Sequence, residues 1–228
     1  KHGVSSDRLV YLPHVIDNGR FEASAAEQER KAKEWRRELG IGEQDLVVLF
    51  AGKLEPKKNP LFLPRLATAV TSPEVKFLVV GNGVMEQELK ELAREDKRFF
   101  FADFQNQSTM PVVYRAGDVF ILPSQGPDET WGLAINEAMA CSRPVLVSTR
   151  CGCAPDLVRE EQNGIIFESH DITRCAKFLN SMVKDRASLK NMGNRSLQLI
   201  QEFTFHRITT TLLEFIGARL TLTPAKQK

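Results

Sequence analysis

The 228-residue sequence contains no apolar run approaching the roughly 20 residues that a bilayer-spanning helix requires. Its opening residues are polar, without the apolar core of a secretory signal. Cysteine is scarce: Cys141, Cys151, Cys153 and Cys175 include no CxxC pair and no zinc-type spacing to a histidine. Cys151 and Cys153, one residue apart, are too close for ordinary disulfide geometry with each other. Reduced, structural thiols in a cytoplasmic protein are therefore expected. An excess of either charge is missing too, with 31 Lys and Arg against 29 Asp and Glu and a net charge of +2. That balance lacks the basic footprint of a nucleic-acid binder. No Asp-x-Asp pair, Walker loop, complete GxGxxG, internal repeat or low-complexity tract occurs.

What is present is an alternation. Six short apolar runs, rich in Val, Ile and Phe, lie at residues 46–52, 75–81, 98–102, 118–123, 144–148 and 164–167. Runs of this kind read as strands buried on both faces. Between them are helical patterns at 60–70, 85–95, 110–116, 133–140 and 172–183. Asn59 and Asp171 are candidate caps for two of them, and Leu89, Leu92 and Ala93 are placed on one apolar face. The pattern predicts an α/β fold: a Rossmann-like, doubly wound, parallel six-stranded sheet with helices on both faces and functional loops at the strands' carboxyl ends.

Outside this core, residues 22–39 form a charged amphipathic pattern. Residues 189–220 carry one or two further helices, broken near 203–204, before a tail at 221–228 expected to fray. The division expected is a lead-in at 1–21 that reads as part of a larger body, a ligand-binding domain at 22–202, and a terminal helix and tail at 203–228.

Three segments carry chemistry. The loop GKLEPKKNP after the first strand places Lys53 and Lys58 where they could neutralise a diphosphate, and solvated loops carry lysines too. Gly81 and Gly83 in VVGNGV form half a dinucleotide motif, which alone means only a tight turn. The richest segment is LPSQGPDETWGLAINEAMACSRPVLVS, a strand, loop, small-residue helix and strand in order. There Glu129 lies in the loop and Glu137 in the helix, with seven residues between them. Trp131, Gly132 and Leu133 form the helix mouth, where free amides favour a phosphate, and Gly132 would let that phosphate come close. Each glutamate alone reads as a surface charge or cap. Jointly, two lysines, a helix mouth and two acceptor carboxylates complement the diphosphate and diols of a sugar nucleotide. The histidines at 2, 14, 170 and 206 read as structural or exposed, and Asp118 as a turn residue.

The segment MPVVYRAGDVFILPS followed by ETWGLAINEAMA resembles the C-terminal domain of retaining glycosyltransferases of the GT-B fold, group 1 (family 4, glycogen-synthase-like), over residues 10–218. In that family the two glutamates form a Glu-x7-Glu motif, here Glu129 and Glu137. Lys58 matches the family's loop lysine, while Lys53 stands in place of arginine and loses its bidentate fork. Two further departures are Glu-Thr-Trp-Gly for Glu-Gly-Phe-Gly, and Cys151-Gly152…Asp156 for Gly-Gly…Glu.

The resemblance implies a nucleoside diphosphate sugar as donor and transfer of a hexose with anomeric retention; no metal is expected, because the sequence lacks an Asp-x-Asp pair and Lys53, Lys58 and the helix mouth can take the charge, and no cofactor is expected. It implies that Lys53, Lys58 and the backbone of Trp131, Gly132 and Leu133 hold the diphosphate. Glu137 would bind the ribose, Glu129 would contact the transferred sugar, Phe101 and Ala102 would lie near the base, and Thr130 and Gly81 are further candidate substrate-binding residues. Candidate catalytic residues are Glu129, Lys53 and Lys58. The acceptor would belong to an N-terminal domain absent from this chain, which alone is expected to be inactive; any peripheral membrane association would be made through that domain. A non-catalytic nucleotide-sugar module and a sugar-nucleotide epimerase are the alternatives; an NAD-dependent dehydrogenase ranks last, because the first-strand loop lacks its glycines. The C-terminal helix looks like the family's crossover element, with an apolar face of Ile208, Leu212 and Phe215.

Overall fold

The computed structural model describes residues 3–126 and 129–221. Six strands, β1 (Leu46–Ala51), β2 (Val75–Val80), β3 (Phe99–Ala102), β4 (Val119–Leu122), β5 (Val145–Ser148) and β6 (Gly164–Phe167), form one sheet. All pairings are parallel and the order is β3-β2-β1-β4-β5-β6. This is the Rossmann order, in which the winding direction reverses between β1 and β4.

Side chains alternate along each strand into two apolar layers. Val47, Leu49, Leu78, Val80, Phe120, Leu122, Val145 and Val147 face one layer. That side carries α1 (Asn18–Glu22), α2 (Ala25–Glu38), α5 (Met110–Ala116) and α6 (Leu133–Ala140). Val48, Phe50, Phe77, Val79, Ile121, Leu146 and Ile165 face the other, against α3 (Phe62–Ala69), α4 (Glu86–Ala93) and α8 (Ile172–Lys184). The short α7 (Ala154–Leu157) and the long α9 (Arg186–Ile200) complete the cover, and α10 (Phe205–Thr221) follows.

Several expectations need correction. The pattern at 22–39 forms one helix, α2, but a short helix that the pattern did not predict, α1, precedes it across a turn at Ser24, which is left-handed (φ 54°). The short α1 brings Phe21 into the core. Leu92 points to solvent, 58% exposed, while Leu89 and Ala93 are buried. Asn59 does not cap α3. It is left-handed and buried, its amide donates to the Pro123 and Ser169 carbonyls, and α3 has no side-chain cap. Asp171 does cap α8, accepting from the Arg174 amide at 3.0 Å. Asp118 is more than a turn residue: it accepts from the Arg36 guanidinium and from the Val47 amide at 2.7 Å, tying α2 to the starts of β1 and β4.

The exposed apolar residues of α10 are Phe205, Leu212, Leu213 and Ile216, whereas Ile208 and Phe215 are half-buried. α10 runs through Thr221, and the rest of the tail expected to fray, 222–228, lies outside the described residues. All four cysteines are free thiols and buried. Among the described residues no helix is long and apolar enough to cross a membrane.

Candidate functional site

A cleft of about 550 Å³ opens at the carboxyl ends of β1 and β2 beside the reversal point. Its walls are built from four places in the chain: Gly52, Lys53, Glu55 and Lys58 after β1; Gly81, Asn82, Gly83 and Val84 after β2; Phe104, Gln105 and Gln107 after β3; and Met110, Tyr114, Ala134 and Glu137 on α5 and α6. Ala134 and Glu137 are three apart on a helix and so share one face.

The loops are joined to one another before any ligand arrives. The Gly52 amide donates to the Val80 carbonyl, Leu54 to Asn82, and Met85 back to Leu54. On the other side the Gln125 amide donates to the Lys57 carbonyl and its side chain to that of Pro56. The glycines of VVGNGV are explained by this closeness and not by a dinucleotide motif. A Cβ on Gly81 (φ +134°) would lie 2.1 Å from the Gly52 carbonyl oxygen, and one on Gly83 would lie 2.4 Å from that of Leu54. Gly81→Ala is therefore expected to cost roughly 2–4 kcal/mol of stability, from backbone strain and overpacking together, read as a lower urea midpoint. An unchanged midpoint would mean that the loops have room to separate.

Lys58 is the central cation. Its ammonium meets Glu129 Oε2 at 2.7 Å, with side chains only 17% and 11% exposed. Glu129 also accepts from the Ser124 hydroxyl at 3.2 Å. Lys53 is far more open, 78% exposed, with Glu55 at 3.8 Å. Glu137 accepts from the Tyr114 hydroxyl at 2.6 Å. Burial pushes its carboxyl above the usual range, opposed by that hydrogen bond and by the nearby Arg20 charge.

Lys53, Lys58, Gly81 and Glu137 thus line one cleft, and Glu129 reaches it through Lys58. Phe101 and Ala102 do not line it. Strand alternation turns Phe101 to the α4 side, stacked near Phe99 at 6.1 Å with the Lys90 ammonium above it. Ala102 contributes its carbonyl to the Gly81 amide. The aromatic at this edge is Phe104, 72% exposed, two residues further on.

The helix mouth is also more closed than expected. Trp131 and Gly132 are buried, while Thr130 and Leu133 are exposed and none of the four lines the cleft. Trp131 is a core residue, donating to Asn136 Oδ1 at 2.9 Å and stacked on His14 at 5.4 Å. Gly132 is required here by its φ of +99° and by Leu122, 3.1 Å from where a Cβ would stand. The loop is held from behind by the segment after β5: Gly152 donates to the Glu129 carbonyl and Cys153 to that of Trp131. A Cβ at Gly152 would lie 1.9 Å from the Thr130 carbonyl oxygen. The adjoining Cys151 thiol is pushed up to about 11, chiefly by burial, which leaves it an inert packing group.

Sequence reasoning missed Asn82, Val84, Phe104, Gln105, Gln107, Met110, Tyr114 and Ala134 as cleft residues. The rule that ligands sit past the strands' carboxyl ends was a signal for the first five; for Tyr114 the sequence held none.

The sheet order and the cleft at its reversal point define a doubly wound α/β domain, and the comparisons give its family. The family model described as glycosyl transferases group 1 matches residues 31–198. The chain belongs to the group 1 glycosyl transferases. It is 29% identical to a D-inositol 3-phosphate glycosyltransferase of Salinispora arenicola, over 95% of this chain and 51% of that one. It is 30% identical to a UDP-Gal:alpha-D-GlcNAc-diphosphoundecaprenol alpha-1,3-galactosyltransferase of Escherichia coli, over 78% of this chain and 45% of that one. Its fold matches Anabaena Alr3699/HepE in complex with UDP-glucose, with a TM-score of 0.77 and 20% identity over 96% of this chain and 59% of that one. It also matches a glycosyltransferase from Rickettsia africae, with a TM-score of 0.80 and 15% identity over 96% and 59%. The fold is that of the C-terminal half of a GT-B glycosyltransferase. The chain spans about half the length of the curated relatives it matches.

Proposed function

We propose that this chain is the donor-binding domain of a retaining hexosyltransferase that takes its sugar from a nucleoside diphosphate. The observation that carries this reading is the convergence of Lys53, Lys58 and Glu137 on one cleft at the sheet's reversal point. Two cations at one end suit a pyrophosphate; an acceptor carboxylate suits the ribose diol. The rim of Val84, Phe104, Gln105 and Gln107 suits a base.

In this reading Lys58 stabilises charge as the leaving diphosphate departs, the kind of contribution that commonly dominates transfer chemistry. Glu129 is its counter-ion and turns to the transferred hexose when phosphate takes its place. Lys53 adds a second positive charge without a metal. The HepE structures with UDP and UDP-glucose support a uridine nucleotide as the first to test. Acceptor binding is assigned to residues outside this chain, in keeping with the length of the relatives.

The test is a thermal-shift titration with UDP-, GDP- and ADP-sugars. One series should raise the melting temperature with ligand concentration, following RT ln(1 + [L]/Kd). No shift with any of the three, alongside a folded protein, would sink the donor-site reading.

A further inference from the structure

Tyr114 lies on α5 and reaches the cleft from beneath Glu137. It is 1% exposed, and its ring is wedged edge-on between Phe21 and Phe120, with centroids 6.1 and 5.4 Å away. A buried phenol packed edge-on against two core rings has little freedom to swing, and its one proton goes to Glu137 Oε2 at 2.6 Å. Glu137 makes no other side-chain hydrogen bond among the described residues. The carboxylate is therefore pinned by one oxygen, with the other available to the cleft.

We propose that Tyr114 is a positioning residue for the nucleotide: through this single hydrogen bond from an immobilised ring it aims the Glu137 carboxylate at the ribose diol. The proposal rests on the donor-site reading of the cleft and adds the group that makes Glu137 selective for ribose. A carboxylate free to rotate would accept from one hydroxyl or from solvent. One held by Oε2 keeps its remaining acceptor positions fixed toward a diol.

The proton balance has the same direction. Burial favours the neutral acid at Glu137, while the Tyr114 proton and the Arg20 charge from α1 favour the carboxylate. Lys53, Glu55 and Lys58 share the cleft with it. Tyr114 itself is held well above the ordinary phenol range, first by burial and then by Glu137, so it stays a donor at every working pH. Arg20 is in turn held by Gln107 Oε1 at 2.6 Å, on the loop that lines the opposite rim.

The test is Tyr114→Phe, which keeps the ring and removes the hydroxyl. UDP, GDP and ADP are titrated calorimetrically into the unaltered protein, and the tightest is carried forward with its 2′-deoxy counterpart from pH 5 to 8. Loss of a hydrogen bond to a charged group predicts roughly tenfold weaker binding of the ribonucleotide at neutral pH. The preference for the ribo- over the deoxy-form should shrink toward one, and the acid limb of the binding curve should move to higher pH.

In a Glu137→Gln background the same substitution should add little, because the group it positions is gone. Packing alone would lower the melting temperature of Tyr114→Phe but leave the ribose preference and the acid limb in place, and that result overturns the proposal. Two outcomes strike the donor-site reading itself: no nucleotide binding by the unaltered protein, or undiminished binding by Glu137→Ala. If both of those controls behave and Tyr114→Phe matches the unaltered protein, the positioning role alone falls.

Discussion

Replacing Lys58 with alanine should reduce turnover of the intact transferase by about 10²–10³-fold, the loss typical of removing one group that stabilises developing charge. Two effects combine at this position. The leaving diphosphate loses its most enclosed cation, since Lys53 is 78% exposed and Lys58 only 17%. Glu129, 11% exposed, then faces the cleft without its counter-ion and repels phosphate. A partly buried carboxylate left without a cation also costs stability, roughly 1–3 kcal/mol. A second substitution separates the two. Lys58→Ala combined with Glu129→Gln should recover the melting temperature without recovering nucleotide affinity. If Lys58→Ala alone kept its affinity for a nucleoside diphosphate within about threefold, less than the smallest charge-assisted hydrogen bond predicts, the lysine would not be a phosphate ligand.

Glu137→Ala should weaken nucleoside diphosphate binding by roughly 10–100-fold while leaving inorganic pyrophosphate binding nearly unchanged. The contrast between the two probes distinguishes loss of a ribose contact from collapse of the cleft. Equal losses for both would argue for collapse.

The same residue predicts a pH dependence, and its sign is opposite to that of a salt-bridged carboxylate. The folded-state value at Glu137 lies above the unfolded one, because burial outweighs Tyr114 and Arg20. Its penalty on stability is absent below the unfolded value and grows as pH rises toward the raised one. Relative to Glu137→Gln, the unaltered protein should therefore lose stability as pH climbs through that window. Nucleotide affinity should do the reverse and fall on acidification, since protonation removes acceptor capacity from the carboxyl that faces the diol. Parallel pH curves for the Glu and Gln forms would remove Glu137 from the account.

The sheet was largely legible in the sequence because parallel strands buried on both faces must be apolar nearly throughout. β1, β2, β4 and β5 lie inside the runs seen there. The helices were legible in place but less so in detail. Ser24 turns the chain between α1 and α2 through a backbone angle that a serine does not announce, so the short α1 was not foreseen. Leu92 satisfies helical spacing yet faces water, because α4 covers an edge of the sheet and buries only a narrow stripe.

At the site, charge was easier to read than shape. Lysines and glutamates at strand ends stand out in a linear chain, and Lys53, Lys58 and Glu137 do line one cleft. Phe101 was misplaced because strand parity decides which way it points, and a two-residue difference put Phe104 at the rim in its stead. Trp131 and Gly132 were read only for their backbone amides, and the packing of the loop against Asn136, His14 and Leu122 was not legible in a linear chain. Tyr114 was invisible for a different reason: its partner lies 23 positions along, on another helix, and only the folded chain brings the two together.

The seam between the first two loops has a consequence for how specificity can change. Gly52 and Gly81, and Leu54 and Gly83, approach so closely that neither loop can move without the other. The ordering cost of that half of the cleft is met during folding, so a bound nucleotide meets a rigid socket there. Mutational drift at the seam has almost no room, whereas the rim side chains of Phe104 and Gln107 are exposed and make no backbone approach of that closeness. Laboratory selection for a new nucleobase should accordingly return substitutions along that rim and leave the glycine seam untouched.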